Sequence, residues 1–166
     1  MEKVLIICEG VIPESYLELL SVMKEYFESC GWPTEIFCIE AGMDESACKR
    51  KLLDTGWKYI CTLDMAGFQM DTVLGGPSYN IIHAKQIHIV INEESFMPYR
   101  HEEFALNLYM FMPDTMQGCF AERYYRPNLF FYKLFELGEH RDRDSNREEL
   151  IRILETTRKD CEMPCE

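Results

Sequence analysis

KYICTLDMAGFQMDTVLGGPSYNIIHAKQIHIVIN, residues 58–92, is the stretch on which the fold turns. An apolar run, KYICTL, stops at Asp64. A loop carrying Gly75, Gly76 and Pro77 follows, and a second apolar run, QIHIVIN, resumes at Gln86. Short continuous apolar runs bounded by turn residues read as strands covered on both faces. A carboxylate where such a strand ends borders a crevice, and in open α/β sheets ligands bind outside the carboxyl ends of the strands. Asp64 and the loop MAGFQMDTVLGGPSYN, residues 65–80, therefore mark the first candidate site.

Upstream, VLIIC (Val4 to Cys8) is another buried-type run, bounded by Glu9 and Gly10. From Pro13 the period changes: Tyr16, Leu20, Met23, Phe27 and Cys30 recur at spacings of three and four, an amphipathic helix stopped by Gly31 and Pro33. Pro13 fits the first turn of that helix, where no backbone N–H is required. Thr34 to Ile39 reads as a second strand. Asp44 then caps a helix that carries Lys49, Arg50 and Lys51 toward its end, with Gly56 beyond. Gln86 to Asn92 is a fourth strand, with Ile87, Ile89 and Ile91 on one face and His88 and Val90 on the other. Leu106 to Met112 reads as a fifth, and Phe130 to Phe135 as a sixth strand or part of a helix. Ser145 and Glu148 are spaced as a capping box, and Leu150, Ile151, Ile153, Leu154 and Cys161 continue as an apolar stripe, predicting a helix from about 145 to 160. Alternating elements of this kind predict an α/β fold: a three-layer α/β/α sandwich, Rossmann-like, with a mostly parallel central sheet of five or six strands. Residues 1–166 form one domain by this reading, which suits their number.

Composition narrows the partners. With 47% hydrophobic and 13% aromatic residues the chain is globular, not disordered. Its 17 Lys and Arg stand against 29 Asp and Glu, a net charge of −12, which argues against nucleic acid and against an anionic membrane surface. No stretch approaches the roughly 20 apolar residues that span a bilayer, and MEKVLIICEG has too short an apolar run for a signal peptide. Of the eight cysteines, Cys8, Cys38 and Cys61 lie in strand-like runs, where a free thiol behaves as a small hydrophobe. A reduced, cytoplasmic protein follows. Cys161 and Cys165 form a tight pair with no second pair and no nearby His, and read as a frayed tail instead of a zinc site.

A parallel sheet would gather Glu9 and Gly10, Glu40, Asp64, Asn92 and Asp114 at its carboxyl edge. Such an acidic rim suits sugar hydroxyls, a general base or a metal ion, although polar residues also end strands simply because the chain returns to water. Glu40 stands where an acidic residue would meet a ribose, but CEGVIPESY lacks the glycines of a dinucleotide turn and no phosphate loop occurs, so no nucleotide cofactor is expected. There is no GxSxG elbow. Ser78 has only His83, five residues on, as a candidate base. Gly75, Gly76 and Pro77 open a short helix whose backbone N–H groups, with Ser78 and Asn80, suit an anion or sugar hydroxyl, and Phe68 and Tyr79 offer flat apolar walls. His88, within a strand, reads as a hydrogen-bonded core residue.

DMAGF (Asp64 to Phe68), the PSYN helix start and the strand KQIHIVIN together resemble the N-terminal half of glycosyltransferases of the GT-B type, over roughly residues 4–92. The resemblance implies a Rossmann-like half that binds the acceptor, with an acidic or His base at a strand end. A second half binds the nucleotide-sugar donor. The present chain has no room for that second half, so the resemblance implies a domain or small subunit that recruits a separate catalytic half and does not transfer sugar alone; a homodimer is a separate expectation. It casts Asp64 as base or acceptor-hydroxyl ligand, His83 as a second polar group, and Tyr79 and Asn80 as acceptor contacts. Glu9, Gly10, Phe68, Gly76, Ser78 and Asn92 complete the expected ligand set from the edge and loop. Two other classes remain open: a non-catalytic binding or scaffold module using the aromatic second half as a partner surface, and a small hydrolase-like domain whose carboxylates hold Mg²⁺.

Overall fold

In the computed structural model, residues 2–64, 66–67, 82–91, 108–113, 129–132 and 143–162 are described. Their order is β1 (Lys3–Glu9), α1 (Glu14–Ser29), β2 (Thr34–Ile39), α2 (Glu45–Leu52), β3 (Trp57–Leu63), β4 (Lys85–Ile89), β5 (Leu108–Pro113), β6 (Leu129–Tyr132) and α3 (Arg143–Glu162). The strands lie side by side as β2-β1-β3-β4-β5-β6, and every neighbouring pair is parallel. The chain is thus an α/β protein built on a parallel sheet, as the alternation of periods predicted.

Local chemistry explains the boundaries. Pro13 is the N-cap of α1 and not its first helical residue; its carbonyl accepts from the Tyr16 and Leu17 N–H groups. The helix ends in a Schellman motif. Gly31, at φ +85°, donates to the Glu28 carbonyl, Trp32 donates to that of Phe27, and the Trp32 and Phe27 rings pack with centroids 6.3 Å apart. Asp44 caps α2 by accepting from the Ser46 N–H at 3.1 Å. Helix α3 starts at Arg143, two residues before the expected start, so Ser145 sits within its first turn. The run from Phe130 resolves as a strand at Leu129–Tyr132.

Around β1, β3 and β4 both faces of the sheet are buried. On one, Val4, Ile6, Tyr59, Cys61 and Ile87 pack against Leu20, Met23 and Phe27 of α1 and Leu150, Ile153 and Leu154 of α3. On the other, Leu5, Ile7, Ile60 and Val90 are wholly inaccessible to water, and α2 contributes buried Cys48 and Leu52. This second face also buries three polar side chains, Thr62, Gln86 and His88. Continuous apolar strands are the sequence signature of such double coverage.

Candidate functional site at the carboxyl rim

The strand order reverses direction at β1: the chain steps outward to β2, then crosses back over β1 to β3. In open parallel sheets, ligands bind at the carboxyl ends of the two strands that flank such a reversal, here β1 and β3. Glu9 and Asp64 close those two strands.

Glu9 is exposed, and its Oε2 accepts from the Gly67 N–H at 2.9 Å, drawing the loop after β3 toward the end of β1. Gly10 follows at φ +71°, where a side chain would be strained, and its N–H donates to the Ile39 carbonyl at 2.9 Å. Asp64 adopts φ +51°, an uncommon conformation for a residue with a side chain. Three bonds hold it there: its N–H donates to the Ile89 carbonyl, its Oδ1 accepts from the Ile91 N–H at 2.8 Å, and its Oδ2 accepts from the Tyr16 hydroxyl. Half-burial, then the neighbouring carboxylate, push the Tyr16 phenol well above its ordinary range, so it stays a donor. Tyr16 was read from the sequence only as part of the apolar stripe of α1. Its position one turn into the helix that follows the Glu9–Gly10 loop was the available signal.

His83 stands elsewhere. It is exposed and immediately precedes β4, level with Trp57 at the start of β3, beside a small pocket formed with Leu52, Leu53, Asp54 and Ile82. Seven residues of strand separate that level from Asp64, about 23 Å at ~3.3 Å per residue. His83 and Asp64 thus sit on opposite rims, because one enters and the other leaves a parallel sheet, while the expected approach of His83 to Ser78 lies outside the described residues. Phe68, Gly76, Ser78, Tyr79, Asn80 and Asn92, with Asp114 and the short helix opened by Pro77, lie outside the described residues. Glu40 follows the last residue of β2, on the same rim as Glu9, and is exposed.

Cys8, Cys30, Cys38, Cys48 and Cys61 are free thiols. Among the described residues no three His, Cys, Asp or Glu side chains are grouped to hold a metal ion, and no helix is long and apolar enough to cross a membrane. Fold and rim together define the class: an α/β protein with a parallel sheet and two carboxylates, Glu9 and Asp64, at the ends of the strands beside its switch point. Compared with known proteins, the chain matches no family model, no curated protein and no solved structure.

Proposed function

We propose that this chain is the acceptor-side or sugar-binding part of a glycosyltransferase-like system, a Rossmann-like three-layer domain of the cytoplasm that works with a second half supplied from elsewhere. The observation that carries the reading is the placement of two carboxylates, Glu9 and Asp64, on adjacent parallel strands either side of the reversal in strand order. Glu9 is the accessible hydroxyl acceptor, because one of its oxygens binds Gly67 while the side chain remains exposed. Asp64 serves as base or second hydroxyl ligand by exchange. A sugar O–H is the same kind of donor as the Tyr16 O–H already on Oδ2, so replacing one with the other costs little. The magnesium reading gains no support from this rim, where the carboxylate oxygens face N–H and O–H donors.

Amide shifts in a nuclear magnetic resonance titration with neutral mono- and disaccharides test the proposal. Gly10 and Gly67 should move together. Glu9→Gln should weaken binding about tenfold, the worth of one charge-assisted hydrogen bond. Tyr16→Phe should tighten it by removing the competing donor. Shifts confined to the His83 rim, or none with any saccharide, would reject the reading.

A further inference from the structure

Among the described residues strand β2 ends the sheet, and its hydrogen-bonding phase is set on the β1 side by Val4 N–H donating to the Pro33 carbonyl and Gly10 N–H donating to that of Ile39. Counting in twos between those points, Glu35, Phe37 and Ile39 turn their backbone groups to β1, while Thr34, Ile36 and Cys38 turn theirs outward. Among the described residues nothing pairs with those outward groups. Proteins blunt an open edge with charge, proline or a bulge. Here the strand TEIFCI has no proline, keeps an unbroken register with β1, and carries one charge, Glu35, neutralised by Lys51 at 2.5 Å. Ile36 is 39% exposed, high for an apolar strand residue.

We propose that β2 pairs antiparallel with β2 of a second copy about a two-fold axis through Ile36, joining the two sheets into one. The register follows from the strand itself. With Ile36 opposite Ile36, Thr34 faces Cys38, and every outward N–H and C=O of the three residues meets a partner. Glu35 then faces Phe37. Sliding two residues one way sets Glu35 against Glu35, a like-charge pair; sliding the other way carries Thr34 against Glu40, beyond the strand end. A one-residue slip faces outward groups with inward ones. The occupant is a second copy because the edge is self-complementary and locally neutral, in a molecule whose net charge of −12 otherwise repels its own kind. Salt, by screening that repulsion, should therefore strengthen the dimer.

Light scattering on the full chain across a concentration series, at low and high salt in reducing buffer, should show a monomer–dimer equilibrium that shifts toward dimer with salt. Ile36→Pro removes one outward N–H that the fold does not use, which an edge strand tolerates, and should weaken association about tenfold or more with little change in the circular dichroism spectrum. Thr34→Cys should cross-link to Cys38 of the second copy under diamide, since hydrogen-bonded antiparallel partners sit ~5.5 Å apart at Cα. A monomer at every concentration, a dimer indifferent to Ile36→Pro, or Ile36 and Cys38 amides protected from hydrogen exchange independently of concentration would each overturn the proposal.

Discussion

His88 lies in the middle of β4 with no exposure, its Nδ1 2.6 Å from Thr62 Oγ1 and its Nε2 3.4 Å from Gln86 Oε1. Burial pushes its pKa down from 6.5 to about 3, so the folded protein carries it neutral. The unfolded chain takes up that proton below about pH 6.5, whereas the folded one resists until about pH 3. The group's contribution is complete above pH 6.5 and is lost as pH falls toward 3, by ~1.4 kcal/mol per unit. Urea unfolding of His88→Gln should show a shallower loss of stability than the parent across that interval, by about one bound proton. An unchanged slope would mean that His88 is charged in the folded state. The sequence placed His88 in a strand, on the face opposite Ile87, but not in the company of Thr62 and Gln86: Thr62 is 26 residues away and meets it only because β3 and β4 are in register.

Helix ends are legible where one residue carries the signal. Gly31 stops α1 at φ +85°, and a Cβ there would meet nothing within 4 Å, so the cost of substitution is backbone strain alone. Gly31→Ala should therefore destabilise by about 1–2 kcal/mol without rearranging the core, as the midpoint and unchanged slope of a denaturant titration would show. A loss near zero would mean that the left-handed turn is not kept. Asp44 was equally readable, because a carboxylate ahead of a helix has one nearby partner to satisfy, the Ser46 N–H. The capping box at Ser145 and Glu148 misled by two residues: the same spacing recurs inside helices, and only the backbone distinguishes the two settings.

Across the whole molecule, double coverage of the sheet makes a strong demand. Leu5 and Ile6 are neighbours in β1 that point to opposite faces, and both are fully buried. Leu5→Ala and Ile6→Ala should each cost ~2–5 kcal/mol, while Leu17→Ala, at a position 52% exposed on α1, stays within about 0.5 kcal/mol. Equilibrium unfolding measures all three. A mild effect at Leu5 alone would show that one face of the sheet is wet. Surface ion pairs such as Arg147 with Glu25, which links α3 to α1 at 2.9 Å, add little to this balance because water screens them.

By itself the sequence determined the alternation of elements, the parallel sheet and the acids at the strand ends, because burial on two faces and helical periodicity are written in consecutive residues. Tertiary structure decided the strand order, and with it the pairing of Glu9 with Asp64 at one reversal, the clasp of Tyr16 on Asp64 and the removal of His83 to the opposite rim. Those relations join residues far apart along the chain. They depend on which strand neighbours which, a choice made by packing between distant segments that no local pattern records.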